Sequence, residues 1–458
     1  MQTTIDSKST IVSAYRQKTP GSARLFLEAQ NLFPSGITHD SRYLDPYGIY
    51  VERASGSHKW DVDGNRYIDY FGGHGALLLG HNHPRVIKAI HESLDKGTHF
   101  GANHALEVRW ADSIRRLIPS AERVRFTSSG TEATLMAVRL ARAFTGCNKL
   151  IRIKSHFHGW NDHMSSGFTS HFDGSATAGV LSQVAENVLL LSPRRVEELA
   201  TVLARDQDVA AILLEPTGSL FGKIPLQPES LMAIREITLK NDVLLILDEV
   251  VTGFRVSPGG AQALYGVTPD LTTLAKILAG GLPGGAVVGR KEILDRLDFE
   301  VAQREGYEKI QHAGTFNANP VSAAAGVAAL ELIATTEACA SANAAGTRLR
   351  ELLKEVMETE EISWAVYGDF SAFHIFTDPK NRGVTPSEFD PFQMDFEELI
   401  TNPPGVAAKL RLALLIQGVD IVGWPGGTCS AVHSEEDLEE TAQAFREAIR
   451  MLKMDGVL

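Results

Sequence analysis

The chain has 458 residues and a formal net charge of −12 at pH 7, so its length predicts two domains and its charge argues against a nucleic-acid-binding surface. Its three cysteines, Cys147, Cys339 and Cys429, form no CxxC pair, which excludes a disulfide framework and favours a reducing, cytoplasmic location. The N-terminal stretch lacks the hydrophobic core of a secretory signal, and no apolar run reaches the ~20 residues of a membrane-spanning helix, so we expect no membrane partner.

The N-terminal region is predicted to combine a polar arm, a helix and a hairpin. Residues 1 to about 20 favour a mobile arm or a short helix, and apolar spacing predicts a helix from Ser22 to Leu32. The following loop contains Arg42, which is consistent either with a carboxylate-binding fork or with an ordinary surface arginine. The segment Lys59–Phe71 alternates around Asp63-Gly64 and predicts a β-hairpin.

A strand followed by small polar residues suggests the first candidate binding turn. Helices are expected from Pro84 to about Lys96 and from His104 to Leu117, and a strand from Val124 to Thr127. Ser129, Gly130 and Thr131 then begin a helix. Hydroxyl groups and a glycine at a helix N-terminus after a strand are typical of a phosphate site, although the same residues also make an ordinary cap.

Two histidine-rich segments raise the question of a metal site. His74, His81 and His83 lack a carboxylate or cysteine at ligand spacing, and the segment 156–163 misses the register of an HxHxDH motif, so we expect no metal. Phe157 and His158 follow a predicted strand at 150–154, where Phe157 alone would be read as a core residue. The polar stretch 165–185 is predicted to be a long loop of the kind that gates active sites.

Carboxylates are predicted at the carboxyl ends of two buried strands. Continuous apolar runs predict strands at Ala210–Leu214 and Val243–Leu247, which end in Glu215 and in Asp248-Glu249. Open α/β sheets bind their ligands at that edge. Glu215 is consistent with a place in the cofactor site and equally with a structural partner for a backbone amide or an arginine.

Lys276 follows a predicted strand, Leu271–Ala275, and has apolar neighbours and then glycines. Desolvation lowers the pKa of such a lysine and makes it a neutral amine that can form an imine. An aspartate at another strand end, here Asp248, can hold a pyridine nitrogen protonated. Together these groups are what pyridoxal 5′-phosphate (PLP) requires.

The remaining elements complete the predicted fold. Ala286–Gly289 is expected to be an antiparallel edge strand, and an Ala-rich helix begins at Pro320. Later segments predict helices near 340–358, 403–417 and 434–452 and strands near 362–367 and 371–376, with a loop at 377–402. The fold class is therefore α/β: a mainly parallel, seven-stranded-type sheet in a large PLP-binding domain at 65–325, and a smaller α+β domain built from 1–64 and 326–458.

The segments LLILDEVVTGFR and LTTLAKILAGGLPGGAVVG resemble the core signature of class III PLP-dependent aminotransferases. The nearest branch contains glutamate-1-semialdehyde aminomutase and the β-amino-acid aminotransferases. The resemblance implies fold type I of PLP enzymes and runs from about Phe33 to the C-terminus.

The resemblance also implies roles for single residues. Lys276 carries the internal aldimine, Asp248 contacts the pyridine nitrogen and Val250 packs on the ring. The other matched positions are Ser129, Gly130 and Thr131 for the phosphate, Phe157 with His158 for the ring, Arg42 for a substrate carboxylate, and Thr315 for the phosphate of the partner subunit's cofactor. The last of these implies a homodimer with shared active sites.

The sequence thus predicts an aminotransferase that moves an amino group between an amino acid, perhaps a β-amino acid, and a keto acid. The expected route is ping-pong, through the Lys276 aldimine. Glutamate-1-semialdehyde 2,1-aminomutase ranks second, because GTFNANP and the WNDH continuation depart from its pattern. A non-catalytic PLP-fold binding protein ranks third, because Lys276 and Asp248 are both intact.

Overall fold

A computed structural model describes residues 9–458, so the first part of the predicted N-terminal arm lies outside the described residues. The strands, in chain order, are β1 (Val51–Ser55), β2 (His58–Asp61), β3 (Arg66–Asp69), β4 (Arg123–Thr127), β5 (Lys149–Ile153), β6 (Val188–Leu191), β7 (Val209–Leu214), β8 (Ile224–Pro225), β9 (Leu244–Asp248), β10 (Leu271–Ala275), β11 (Gly285–Gly289), β12 (Ala365–Tyr367), β13 (Ala372–Phe376), β14 (Val419–Asp420) and β15 (Gly426–Thr428).

The longer helices are Thr10–Lys18, Pro20–Gln30, Pro84–Leu94, Ala105–Leu117, Gly130–Thr145, Glu198–Arg205, Pro228–Lys240, Pro320–Thr335, Ala338–Thr359, Val406–Ile416 and Glu435–Met454. Shorter helical segments are Pro34–Gly36, Asp40–Arg42, Gly72–Gly75, Asp162–Met164, Ser182–Ala185, Ser219–Gly222, Gly260–Tyr265, Lys276–Ala279, Lys291–Leu294, Asp295–Leu297, Phe299–Glu305, Pro391–Gln393 and Phe396–Ile400. Among the described residues no single helix is long and apolar enough to cross a membrane, and only the bent pair Pro320–Thr335 with Ala338–Thr359 meets that length and composition jointly.

The chain divides into two compact units. One comprises the described residues up to His83 together with Ala340–Leu458, and the other spans Pro84–Cys339. The domain bounds expected from the sequence, 65–325 and the remainder, stay a prediction.

The unit Pro84–Cys339 contains a seven-stranded sheet in the order β4-β11-β10-β9-β7-β5-β6. Strands β6, β5, β7, β9 and β10 run parallel to one another, which confirms the predicted mainly parallel sheet. Every residue of β7, β9 and β10 is buried, as expected when both faces of a sheet are covered.

Strand β11 corrects one expectation. It is antiparallel, as predicted, but it pairs with β10 on one side and with β4 on the other, so β4 and not β11 forms the edge. All five residues of β11 are buried, and such a continuous apolar run is the pattern of an interior strand. Gly285 permits the pairing, because a Cβ there would lie 2.5 Å from the Ser129 carbonyl oxygen.

Helices cover both faces of this sheet. Met136, Ala137 and Leu140 of the helix Gly130–Thr145 belong to one cluster with inward residues of β7 and β9. Residues of the helices Glu198–Arg205 and Pro228–Lys240 form a second cluster with the alternate residues of the same strands. Each fully buried leucine in these clusters stabilises the folded state by about 1.5–3 kcal/mol. The two clusters hold the strand ends, where the polar residues lie, in fixed positions.

The other unit has a four-stranded sheet, β1-β2-β3-β14, and a three-stranded sheet, β12-β13-β15. The predicted hairpin is confirmed, with Trp60 opposite Arg66. Lys59 is buried in ion pairs with Asp69 at 2.7 Å and Asp420 at 2.6 Å, which joins β2, β3 and β14. Sequence analysis did not predict β14 and β15, because segments of two or three residues are too short to show a hydrophobic alternation.

The N-terminal segment is helical rather than a free arm from Thr10 onward. Ser9 caps the first helix through Val12 and donates to Asp455 at 2.6 Å. Ile11 and Tyr15 lie on one face of that helix and are fully buried. Pro20 then begins the second helix, where its missing N–H costs no hydrogen bond.

Candidate active site

Lys276 lies directly after β10 and has an unusual backbone. Its φ is +55°, a left-handed conformation that costs a non-glycine residue on the order of 1–3 kcal/mol and concentrates at functional sites. The side chain is partly buried. Desolvation lowers the pKa of Lys276 below its ordinary value, while the carboxylates of Asp248 and Glu215 act in the opposite direction. A lowered pKa favours the neutral, nucleophilic amine.

Asp248 is the last residue of β9 and is held by three hydrogen bonds. Its Oδ1 accepts from the Thr273 hydroxyl and from the Val250 amide, both at 3.1 Å. Its Oδ2 lies 2.7 Å from His158 Nδ1. The carboxylate is only 5% exposed, so its orientation is fixed within the protein.

Two buried histidines have complementary hydrogen-bonding states. His158 Nδ1 faces a carboxylate and therefore donates, which leaves a lone pair on Nε2 of the neutral ring. His156 Nδ1 accepts from the Glu215 amide at 2.9 Å, so its Nε2 carries the hydrogen. The ring centroids are 6.0 Å apart. Burial lowers the pKa of both imidazoles, which keeps them neutral beside Asp248.

Glu215 acts on the backbone around the site. Its Oε1 accepts from the amides of Phe157 at 2.8 Å and Leu220 at 3.2 Å, and its Oε2 from Phe221 at 3.4 Å. Burial, reinforced by the charge of Asp248, raises the pKa of Glu215 to about 8. The sequence left two interpretations of Glu215, a place in the cofactor site or a structural partner. These contacts are those of a structural partner for backbone amides, and they fix the peptide that carries Phe157.

Phe157 is not a core residue. Its side chain is 42% exposed and packs against Phe168 with ring centroids 4.8 Å apart. An exposed aromatic ring anchored through its own amide is suited to stacking on a planar ligand.

The predicted phosphate turn meets Lys276 and Asp248. Ser129 caps the helix Gly130–Thr145, and its hydroxyl accepts from the Glu132 amide at 3.2 Å. A Cβ on Gly130 would lie 3.1 Å from the Val250 side chain and 3.4 Å from Ala275. The start of the helix therefore packs against the residues beside both functional groups.

The loop after β5 that carries His158 and Gly159 packs against the same residues. A Cβ on Gly159 would lie 2.4 Å from the Thr131 hydroxyl, and the Thr134 hydroxyl donates to the His158 carbonyl at 2.8 Å. The structure thus brings together nine of the candidates: Ser129, Gly130, Thr131, Phe157, His158, Glu215, Asp248, Val250 and Lys276.

Two further candidates are not among these nine, and their roles stay predictions. Thr315 is exposed within a turn closed by the Asn317 amide and the Gly314 carbonyl at 3.1 Å. Arg42 belongs to the unit that contains the described residues up to His83. It is exposed, and its Nη1 donates to the Thr38 hydroxyl at 2.8 Å.

Sequence analysis missed Thr273 and assigned Glu249 no role of its own. Thr273 stands opposite Asp248 in the β9–β10 register, so a threonine within an otherwise apolar run was an available signal. Glu249 is fully buried and accepts from Thr252, from the amide of Ala261, and from the amide and side chain of Gln262. These bonds make Glu249 an anchor for the segment Gly260–Tyr265.

The assembled residues fit PLP. They offer an amine of lowered pKa, a fixed carboxylate, hydroxyl groups at a helix start and an exposed aromatic ring. Gly130 keeps open a space beside Val250 that any side chain would fill. Among the described residues no group of three or more His, Cys, Asp and Glu is arranged to hold a metal ion.

Residues 40–388 match the family model for class III aminotransferases. A curated glutamate-1-semialdehyde 2,1-aminomutase from Methanosarcina acetivorans is 37% identical, over 93% of this chain and 97% of its own length. The enzyme of the same name from Methanopyrus kandleri is 35% identical, over 96% and 99%.

Solved structures show the same fold. An omega-transaminase from Sphaerobacter thermophilus superposes with a TM-score of 0.85 at 29% identity, over 96% of this chain and 99% of that one. A transaminase with PLP bound reaches 0.83 at 31%, over 96% and 99%. A β-phenylalanine aminotransferase from Variovorax paradoxus reaches 0.85 at 27%, over 98% of both chains. The predicted PLP fold type I is confirmed.

Proposed function

The chain belongs to the class III aminotransferase family, whose cofactor is PLP, and we propose that it acts as a glutamate-1-semialdehyde 2,1-aminomutase. The observation that carries this proposal is the near-full-length similarity to curated aminomutases, at 37% and 35% identity. The sequence motifs had ranked an aminotransferase first. The comparisons favour the aminomutase, so we reverse that order.

Bound PLP supplies an aldehyde carbon for imine formation and a pyridine ring that withdraws electrons from the substrate carbon. Lys276 provides the amine for attachment, and its lowered pKa leaves Nζ free to accept a proton. Nζ would accept the proton lost from one substrate carbon and would supply the proton gained by the neighbouring one. Asp248, oriented by Thr273 and His158, keeps the proton on the pyridine nitrogen.

The neighbouring residues orient the reactants and exclude water. Phe157, anchored by Glu215, and Val250 would pack against the pyridine ring. Ser129, Gly130 and Thr131 bind the phosphate through hydroxyl groups and the first-turn amides of the helix. Arg42 binds the substrate carboxylate as a two-point fork.

The reaction is an isomerisation, so it needs no second substrate. In net terms the amino group and one hydrogen move from C2 to C1 while the carbonyl oxygen moves from C1 to C2, so substrate and product have the same formula. We further propose a cytoplasmic homodimer with shared active sites, in which Thr315 reaches the phosphate of the partner subunit's cofactor. Cys147, Cys339 and Cys429 form no disulfide, which agrees with a reducing compartment.

An aminotransferase is the second candidate, supported by the solved transaminases at 29% and 31% identity. Its substrates would be a small amino acid, including a β-amino acid, and a keto acid. A non-catalytic PLP-binding protein is a weaker candidate, because such a protein has no use for a strained lysine beside a fixed aspartate.

The deciding experiment supplies the purified protein with glutamate 1-semialdehyde and no amino acceptor. Formation of the isomer with its amino group on the terminal carbon supports the aminomutase. Product that appears only after a keto acid is added contradicts the aminomutase and supports the aminotransferase. K276A, which lacks the amine, is the matched control and should form neither product.

A further inference from the structure

His312 attaches the turn that carries Thr315 to β4, the edge strand of the seven-stranded sheet. Arg125 lies on the edge strand β4, and its Nε donates to His312 Nδ1 at 2.8 Å. Its Nη2 donates to the His312 carbonyl oxygen at 3.1 Å. The guanidinium thus binds both the ring and the backbone of His312, which fixes the segment to the sheet.

These contacts determine the tautomer of His312. Because Nδ1 accepts a hydrogen bond from Arg125, the hydrogen of the neutral ring lies on Nε2. The side-chain nitrogen Nδ2 of Asn317 lies 3.5 Å from His312 Nε2. The Oδ1 of the same side chain is buried without a hydrogen-bond partner. A half-turn of the Asn317 side-chain amide places Oδ1 opposite the Nε2 hydrogen, so that the buried oxygen faces a donor.

Asn317 passes the constraint on to the turn. A Cβ on Gly314 would lie 2.4 Å from Asn317 Oδ1, so the amide packs directly on the Gly314 backbone. The backbone N–H of Asn317 donates to the Gly314 carbonyl oxygen at 3.1 Å, which closes the turn around Thr315 and Phe316. A change at His312 therefore reaches Thr315 through only two packed groups.

We propose that Arg125, His312 and Asn317 form a brace that positions the Thr315 turn, and that protonation of His312 releases this brace and weakens cofactor retention. The role of Thr315 in this inference rests on the proposed function. In the proton-bound state both ring nitrogens are donors, so Nδ1 no longer accepts from the cationic Arg125, and the two cations repel each other.

The charges around His312 favour the neutral ring. Burial and the neighbouring Arg125 lower the pKa of His312 below its ordinary value, and Arg139 and Lys309 act in the same direction. Glu132 is the one carboxylate facing the ring that opposes them. The brace is accordingly intact at neutral pH and opens only in acid.

The test measures PLP release from the holoenzyme between about pH 8 and about pH 4.5, a range that extends below that of an ordinary histidine because the pKa of His312 is lowered. For the wild-type protein we expect release to accelerate about tenfold as the pH falls, the effect of losing a charged hydrogen bond. H312Q keeps an acceptor for Arg125 and a donor for Asn317 but has no titratable ring. It should hold PLP as the neutral wild type does, at every pH.

Three further variants complete the design. H312A removes the brace and should release PLP rapidly at every pH. R125K keeps the positive charge but loses the two-point contact, so it should resemble H312A. H91Q makes the same chemical change at an exposed residue of the helix Pro84–Leu94 and should behave as the wild type.

Two results would overturn the inference. One is an H312Q protein that keeps the wild-type acid-induced release. The other is release from H312A or R125K at wild-type rates. Amide hydrogen exchange of residues 311–319 provides a readout independent of the cofactor, and it should rise in H312A and return to wild-type values in H312Q. A wild-type protein that binds no PLP contradicts the proposed function instead. In that case the hydrogen-exchange data alone test whether His312 holds the turn.

Discussion

Thr273 and Asp248 are register partners on adjacent parallel strands, and the threonine hydroxyl donates to the aspartate Oδ1 at 3.1 Å. This bond lies inside the sheet, where Thr273 is fully buried. The backbone pairing of β9 and β10 therefore sets the orientation of the carboxylate.

T273V removes this hydrogen bond with almost no change of volume. We expect the turnover rate to fall about fivefold to tenfold, because Asp248 Oδ1 keeps the Val250 amide but loses the second of its two donors, and one such hydrogen bond is worth about 1–1.5 kcal/mol. Steady-state kinetics together with the visible spectrum of the bound cofactor measure the effect. T273S retains the hydroxyl and should recover most of the rate, and an unchanged T273V enzyme would show that Asp248 does not need this contact.

K276A should bind PLP without a covalent bond. Borohydride reduction followed by digestion should label the wild-type protein on the peptide containing Lys276, because only an imine is reduced to a stable amine. The variant should carry no label and lose measurable turnover. K223A removes another buried lysine and is the matched control; label lost from K223A but kept in K276A would contradict the assignment.

E215Q tests how Phe157 is anchored. Glutamine can accept at one oxygen only, so at least one of the three amides now bonded to Glu215 is left facing an NH2 group. We expect PLP affinity to fall about tenfold, which equilibrium dialysis measures. E198Q changes a half-buried glutamate at the start of the helix Glu198–Arg205, whose side chain is paired with Arg195, and should leave affinity unchanged. Equal affinity in all three proteins would show that the anchor is dispensable.

His433 is expected to make the unit that contains Ala340–Leu458 less stable in acid. Burial lowers the pKa of His433 from 6.5 to about 4. The unfolded chain therefore takes up a proton at higher pH than the native protein does. Stability is complete above about pH 6.5 and falls by about 1–3 kcal/mol as the pH drops towards about 4. Other buried groups titrate as well, so the observable is the difference between two proteins.

H433N isolates that contribution. Asparagine keeps an acceptor for the Ser430 amide, which now bonds His433 Nδ1 at 2.9 Å, but it does not titrate. Denaturant unfolding at pH 7 and pH 5 should show a smaller acid loss for H433N than for the wild type. Parallel curves for the two proteins would mean that His433 is not the responsible group.

The sequence predicted the frame of the site because the frame follows from local pattern. Continuous apolar runs identified β7 and β9, a short strand was predicted at β10, and the polar residues after all three lie where the strands end. The family resemblance is confirmed by the match over residues 40–388. Local pattern and resemblance together were therefore enough to single out Lys276, Asp248 and the Ser129 turn.

What the sequence could not give depends on pairing between distant segments. The place of β11 in the sheet interior follows from its partner β4, far away in the chain. Likewise the bonds of Glu215 to Phe157 and Leu220 join separate loops. A linear pattern of hydrophobicity contains no information on such contacts.

Short motifs could not decide between an aminomutase and an aminotransferase. Short departures such as GTFNANP weighed against the aminomutase, whereas identity averaged over nearly the whole chain points towards it. Two enzymes that share an amine and a carboxylate differ in how they hold the substrate, and Arg42 alone does not specify that.

The left-handed backbone at residue 276 has a consequence for anyone who wishes to transplant this chemistry. Side chains of a regular strand alternate between faces, and a residue with φ of +55° leaves that alternation. A lysine grafted onto the end of an ordinary strand would extend in another direction, however well the surrounding acids were copied. A designed catalyst based on this sheet therefore has to reproduce the turn in the main chain first and choose its side chains afterwards.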